Sequence, residues 1–411
     1  MKQLIRMLSV AGLTGVLVAG IYFVFSAVVE QLQDFIWFTL IDTEENKLLV
    51  FPLAITAGVL FGFLLKILGE DTKHEANHSI ASYASSASQI NSSWVLRVLG
   101  IGVASLVAGA SLGPEAILLP ASYGVAFLLA KKFKLPNPAQ LGMLGIIVLL
   151  AVFFNGYAAA IILLAFIGYK NTKNIKKSLF LVVLGVFAIF ISLATLRLLN
   201  EREGYVYIGP IGDVTLTPTL FAAAVIIAAV ATSLPLLLDV LTALFRRMFD
   251  RVRSHWFIAG ALAGLGIGVA YYLLGPIGYF SGRSGLGELL TINSELTSLQ
   301  LAGLTFGKLI VTAWSLATIY RGGFVFPQLL VGMSMALLLS GGIPDSSWLF
   351  TLLYASFFGI FTGASGSMLV AAAFVLTLFG TTALPLLVAA AAGSLLIKTI
   401  FKKQFASKAT V

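Results

Sequence analysis

The sequence predicts an all-α integral membrane protein in which full-length helices alternate with short, broken or re-entrant ones. Three observations carry that prediction. Of 411 residues, 59% are hydrophobic and 10% charged, with a mean hydropathy of +1.00, outside the range of soluble domains. Apolar runs long enough to cross a bilayer recur along the whole chain. Two of them are interrupted by small residues, at Gly113-Pro114-Glu115 and at Arg321-Gly322-Gly323-Phe324-Val325-Phe326-Pro327, where a bilayer penalises irregular backbone unless it lines a cavity.

The elements follow in order. Lys2 and Arg6 precede an apolar run at 8–29 that is too long for the core of a cleaved signal peptide, so it is read as the first helix, N-terminus inside. Further full spans are expected at 48–68, 178–199, 218–238, 256–275 and 299–319, each near the ~20 residues a bilayer core requires. The stretches 94–112, 115–132, 140–153, 155–169, 324–341, 347–361, 364–380 and 383–400 are shorter and cut by Gly, Pro, Ser or Asn, the pattern of broken helices in carriers. Polar joints at 70–93, 201–217, 246–255 and 281–300 are too short for a soluble domain. Two membrane halves, 1–200 and 201–411, are therefore expected, with no soluble regulatory domain.

Charge and composition exclude several classes. The formal charge of +9 gathers in short clusters at 131–134, 170–177, 246–253 and 398–408, which reads as membrane topology and not as a nucleic-acid surface. There is no Cys, and the three His residues are too few and scattered for a metal cage. No nucleophile elbow, phosphate-binding loop or metal-ligand cluster suggests an enzyme. No cofactor is expected, only a bound halide as substrate.

The two breaks belong to a repeat. Gly113 is followed about 40 residues later by Phe154-Asn155-Gly156, and Gly322 by Phe361-Thr362-Gly363 at similar spacing, a period of about 208 residues; carriers place substrate where such repeats meet. Small residues also serve helix packing, which is the plainer reading of each match alone. A helix that starts at membrane depth leaves its first N–H groups unpartnered and carries partial positive charge at that end, so it holds an anion through backbone donors. Glu115, at the start of the helix expected at 115–132, places its own carboxylate where that anion belongs. An ionised side chain blocks the path and a protonated or displaced one clears it, which makes Glu115 the candidate gate; its plainer role is a glutamate that stabilises a helix N-terminus.

At these residues the chain resembles the CLC family of chloride channels and proton/chloride antiporters, in a divergent bacterial branch of ion-transport proteins. The family's Gly-Arg-Glu-Gly-Pro motif is matched by Gly113-Pro114-Glu115-Ala116-Ile117, which aligns Glu115 with the gating glutamate and puts Gly113, Pro114 and Ala116 at the anion site. Its Gly-x-Phe-x-Pro motif is matched by Gly323-Phe324-Val325-Phe326-Pro327, preceded by Gly322; the resemblance implies that the N–H groups of Phe324 and Val325 point at the anion. Phe154-Asn155-Gly156 resembles the family's Phe-Asn-Ala, and the register holds from about residue 50 to 400. The resemblance further implies an inverted repeat, a homodimer with one pathway per subunit, a multi-pass position in a bacterial plasma (inner) membrane, and a small anion as substrate, with or without protons.

The departures are as informative. The family's Gly-Ser-Gly-Ile-Pro motif is absent; the region reads His74-Glu75-Ala76-Asn77-His78-Ser79-Ile80, where Ser79 and His78 are candidate donors within what otherwise reads as a polar loop. No Tyr follows Tyr354, so the family's central Tyr is lost. The position of the inner proton-relay glutamate falls on Phe166 or Ile167, both apolar. Lys308 is a lone cation in an apolar span, either snorkelling to an interface or raising the potential along an anion route. Arg321 is a candidate vestibule charge. Asp239, Glu201, Glu288 and Arg283 read as ends, loops or connectors, and Ser111 as a packing residue. The expected function is transport of small monovalent anions, chloride first, gated by Glu115. The alternatives are a fluoride exporter of CLC type and a non-transporting scaffold or carrier of another solute.

Overall fold

Apolar runs become helices because bilayer depth leaves the backbone no partner but itself. A computed structural model describes residues 2–43, 45–69, 90–154, 156, 160, 175–199, 217–292, 296–341, 346–380 and 384–408. Its first half contains α1 (Lys2–Gln33, continued by a π-helical segment Asp34–Leu40), α2 (Val50–Ile67), α3 (Ser92–Val107), α4 (Glu115–Lys132), α5 (Pro138–Phe153) and α6 (Ile175–Leu198). The second contains α7 (Pro218–Phe249), α8 (Trp256–Leu274), α9 (Arg283–Ile292), α10 (Ser298–Ala317), α11 (Val325–Ser340), α12 (Ser346–Ser365), α13 (Met368–Phe379), α14 (Leu384–Ile400) and α15 (Lys402–Lys408).

The halves repeat the same order. Helices α1 to α6 start at 2, 50, 92, 115, 138 and 175, and their counterparts α7, α8, α10, α11, α12 and α14 at 218, 256, 298, 325, 346 and 384, an offset of about 210 residues, the pattern of an internal transporter repeat. Packing repeats as well: α1 lies on α6 as α7 lies on α14, and α4 pairs with α5 as α11 pairs with α12. The counterparts α2 and α8 pack on each other across the two halves. Small residues permit this approach, because a Cβ at Gly260 or Gly264 would strike the backbone of Gly58 or Ala54.

Among the described residues, seven helices are long and apolar enough to cross a membrane. Six match the expected full spans. The seventh lies in α12, expected as a short piece at 347–361 but 20 residues long and among the most enclosed helices of the molecule. Three further expectations change. Helix α7 runs past Pro235 to Phe249, so Asp239 sits on an exposed face inside a helix and not at its end. The joint at 281–300 contains α9, and Arg283, its first residue, pairs with Glu30 of α1. The helix starts at Glu115 and Val325 fall where expected. His78, Ser79, Asn155, Phe166, Ile167 and Glu201 lie outside the described residues.

The inner helices α4, α5, α11 and α12 bury most of their side chains, whereas outer helices expose large apolar groups such as Leu60, Val240 and Leu273, a surface suited to lipid. The chain is a multi-pass membrane protein.

Candidate anion site

Two helices end at depth and two begin there. The last carbonyls of α3 have no continuing turn, and side chains from other helices supply donors: Gln33 Nε2 to Leu106 O (2.9 Å), Trp37 Nε1 to Val107 O (3.0 Å) and Tyr271 Oη to Gly109 O (2.8 Å). At the end of α10, Arg253 Nη2 donates to Ala317 O at 3.0 Å. The chain then enters the breaks as two short extended segments that pair. Gly113 N–H donates to Gly323 O and Gly323 N–H to Gly113 O, both at 2.7 Å, the one β-type bridge among the described residues.

Two serines extend this clasp. Arg321 N–H donates to Ser105 Oγ (2.7 Å), and Ser111 N–H donates to Ser315 Oγ (3.1 Å). Ser105 and Ser315, Ser111 and Arg321, and Gly113 and Gly323 are each separated by the 210 residues that also separate Glu115 from Val325. The clasp is thus a set of reciprocal bonds between repeat-related positions. Sequence reading missed Ser105 and Ser315, since a serine inside an apolar helix looks like a packing residue; only their equal offset could have singled them out.

From the clasp α4 and α11 set out with no side-chain cap, at Pro114 and Phe324. Side-chain caps are present on α3 (Asn91), α7 (Thr217), α10 (Thr297 with Gln300 in a capping box) and α13 (Ser367), while α2, α5 and α8 also start without one. What sets the starts of α4 and α11 apart is the acceptor that meets their N–H groups. That acceptor is Glu115. Its Oε1 accepts from Val325 N–H at 2.6 Å, and the N–H of Phe326 also faces the carboxylate. Glu115 is 7% exposed, and its Oε2 has no hydrogen-bond partner among the described residues. Both glycines of the bridge are required here. A Cβ on Gly323 or Gly113 would run into the Glu115 carboxylate.

Aromatic rings close one side. The Phe326 ring and the Glu115 carboxylate both flank Gly113. Phe326 meets Phe153 at 5.3 Å and Phe154 at 6.4 Å between ring centroids; Phe154 meets Phe374 at 4.7 Å, and Phe374 stacks on Phe361 at 4.5 Å. Phe154 and Phe361 are the landmarks that follow each break, now brought together at 6.5 Å. On the other side Ala116, Arg321, Phe324 and Val325 keep partial exposure.

The structure brings Gly113, Pro114, Glu115, Ala116, Gly322, Gly323, Phe324 and Val325 into one site. The N–H groups facing the carboxylate are those of Glu115 itself, of Val325, which was expected there, and of Phe326 in the place expected of Phe324. Arg321 lies beside the clasp, its Nη1 on Ile319 O at 3.1 Å. Lys308 neither snorkels nor faces the site: it is fully buried, and its ammonium donates to Gly278 O (2.9 Å), Tyr279 O (3.4 Å) and Phe280 O (2.5 Å). Three carbonyls occupy three donors, so it pins the 276–282 turn against α10. Ser111 packs as expected, with Oγ 3.5 Å from Thr312 Oγ1.

No family model matches the chain. Among solved structures it is similar to a slow cyanobacterial Cl−/H+ antiporter (TM-score 0.72, 17% identity, covering 97% of this chain and 95% of that one) and to a CLC-type fluoride/proton antiporter (0.72, 18%, 96% and 95%). A eukaryotic CLC transporter follows at 0.67, with 15% identity over 96% of this chain and 72% of that one. The chain has the CLC fold. Its curated relatives include the "Putative ion-transport protein YfeO" of Escherichia coli UTI89, 25% identical over 252 residues, and that of Escherichia coli O127:H6, 24% identical. Each match spans 59% of this chain and 57% of the relative's length. With the CLC fold, seven apolar helices and bacterial ion-transport relatives, the protein is a multi-pass protein of the bacterial plasma membrane. Within that fold the repeat is inverted, so the uncapped starts of α4 and α11 approach the clasp from opposite sides.

Proposed function

We propose that the protein transports small monovalent anions, chloride first among them, through the clasp, and that Glu115 is its gate. One observation supports this above the rest: a carboxylate buried between two uncapped helix starts, accepting a backbone N–H that an anion needs. The CLC fold and the ion-transport relatives support transport in general, and the similar structures are transporters, not enzymes. In this reading a permeating anion takes the N–H groups of Val325 and Phe326 as the Glu115 side chain yields them, through protonation or displacement. A helix N-terminus gives partial charges and donors without directional chemistry, which suits a halide. The two repeat halves, 1–200 and 201–411, each supply one of the two helix starts, and the working unit is a homodimer with one pathway per subunit.

Glu115→Gln tests the gate. The amide keeps the size of the protonated acid and cannot ionise, so anion flux into proteoliposomes becomes independent of pH across a range where the wild type varies. Identical pH profiles for both proteins would show that Glu115 is not the gate. Fluoride is the second reading, favoured by the equal TM-score of the fluoride/proton antiporter; a fluoride-against-chloride flux ratio separates the two.

A further inference from the structure

We propose that the cytoplasmic end of α7 is a binding site for the phosphate headgroup of an anionic phospholipid, with Arg246, Arg247 and Arg251 as its donors. Four arginines and no lysine crowd the last turn of α7 and the turn that leads to α8, at 246, 247, 251 and 253, against a single carboxylate, Asp250. Arg253 is already committed. It is buried, its Nε lies 3.0 Å from Asp250 Oδ1, and its Nη2 holds Ala317 O at the end of α10. The other three make no side-chain hydrogen bond or ion pair among the described residues. Arg247 and Arg251 are exposed, but Arg246 is partly buried on the inward side of the helix, where its Nε is shielded and has no acceptor. Thr242, one turn earlier on that side and buried, has a hydroxyl that likewise finds no partner among the described residues. A guanidinium held in this way costs stability unless a group from outside the chain completes it.

Position decides what that group is. In an inverted repeat α7 runs opposite to α1, so its end lies on the side where α1 begins with Lys2 and Arg6, and the gathered basic residues assign that side to the cytoplasm. Trp256, the first residue of α8, lies under the Lys66 ammonium at 5.1 Å, a tryptophan and lysine pair of the kind that marks headgroup level. Toward the bilayer core α7 exposes Leu237, Val240, Leu244 and Met248, spaced along one side of the helix and suited to acyl chains. One helix thus answers both halves of a phospholipid. Guanidinium groups bind phosphate oxygens through paired N–H groups, whereas lysine acts as a point charge; the exposed Lys131, Lys132 and Lys134 near the end of α4 carry equal charge without that geometry. The effect reaches inward. Asp250 and Arg253 connect this surface to Ala317 O, so a bound headgroup steadies the end of α10, from which the chain runs on into the second break.

The test titrates the purified full chain in a neutral detergent with phosphatidylglycerol, phosphatidylcholine or inorganic phosphate, reading bound lipid by mass spectrometry of the intact complex and stability by thermal unfolding. Wild type retains phosphatidylglycerol in preference to phosphatidylcholine and melts higher with it, and inorganic phosphate at the same concentration reproduces neither effect. Arg246→Gln/Arg247→Gln/Arg251→Gln binds phosphatidylglycerol at least about tenfold more weakly. Lys131→Gln/Lys132→Gln/Lys134→Gln removes the same charge and stays within about twofold of wild type. If the arginine triple variant does not give a monodisperse protein, Arg247→Gln/Arg251→Gln, confined to exposed residues, is held to a loss of at least about threefold. Equal retention of the two lipids by wild type, the same stabilisation from inorganic phosphate, or equal losses in the arginine and lysine variants overturns the inference.

Discussion

Gly323→Ala asks whether the Glu115 carboxylate occupies the clasp in solution. The backbone at Gly323 accepts a side chain, as it is not among the residues with positive φ. The three atoms nearest an added Cβ are Oε1, Cδ and Cγ of Glu115, so methyl and carboxylate exclude each other. The carboxylate sits at the end of a flexible chain, and the easiest relief is for it to swing out. That breaks the 2.6 Å bond from Val325 N–H, a hydrogen bond to a charged group and therefore worth about 1.5–3 kcal/mol. In a Glu115→Ala background the obstruction is gone, and the same methyl should be nearly neutral. The double-mutant cycle, read by equilibrium unfolding in mixed micelles, should give a coupling of about 1.5–3 kcal/mol. Gly323→Ala alone should also lose the pH dependence of flux, as Glu115→Gln does. Two mutations that add within about 0.5 kcal/mol refute the placement of the carboxylate.

Three other outcomes follow from the geometry. Ser105→Ala removes the hydroxyl that accepts from the partly buried Arg321 N–H, and Ser315→Ala the one that accepts from the buried Ser111 N–H; each should lower stability, Ser315→Ala by about 1–3 kcal/mol, with flux per folded molecule reduced, and unchanged melting in both variants contradicts the clasp. Lys308→Met leaves the carbonyls of Gly278 and Phe280 without their donor and should destabilise by a similar amount, about 1–3 kcal/mol, while the anion selectivity of the folded fraction stays at the wild-type value; a changed selectivity would return Lys308 to the route. Because Phe166 and Ile167 stand where the relay carboxylate is expected, anion flux should be weakly coupled or uncoupled to protons, and sustained uphill proton movement at a fixed ratio to chloride rules that out.

Much of this was legible in the residues. Hydropathy marked six of the seven spans, and the Gly-Pro-Glu and Gly-Gly-Phe breaks marked where helices restart, because small residues at depth have few other uses. The 20-residue span of α12 was hidden by Gly359 and Gly363, which look like interruptions yet pack against the backbone of α7 at Ala228 and Thr232. Helix α9 was hidden by Ser284, Gly285 and Gly287, which read as turn residues. The phenylalanine series was invisible because Phe is an ordinary apolar residue in a membrane chain; only the fold shows that rings from α5, α11, α12 and α13 converge. Lys308 illustrates the opposite failure, a conspicuous charge whose partners are all main-chain carbonyls and so leave no trace in sequence.

The clasp has one further consequence. Its bonds are shared evenly by the two repeats, and in an inverted repeat those halves face opposite sides of the membrane, so the clasp itself has no sense of direction. Direction enters through side chains: at the helix starts one half carries Glu115 and the other Val325, and at the edge of the clasp Ser111 stands opposite Arg321. A scaffold symmetric in its backbone becomes polar through the side chains it carries, and the two helix starts differ in whether an arriving ion meets an acid or an isopropyl group.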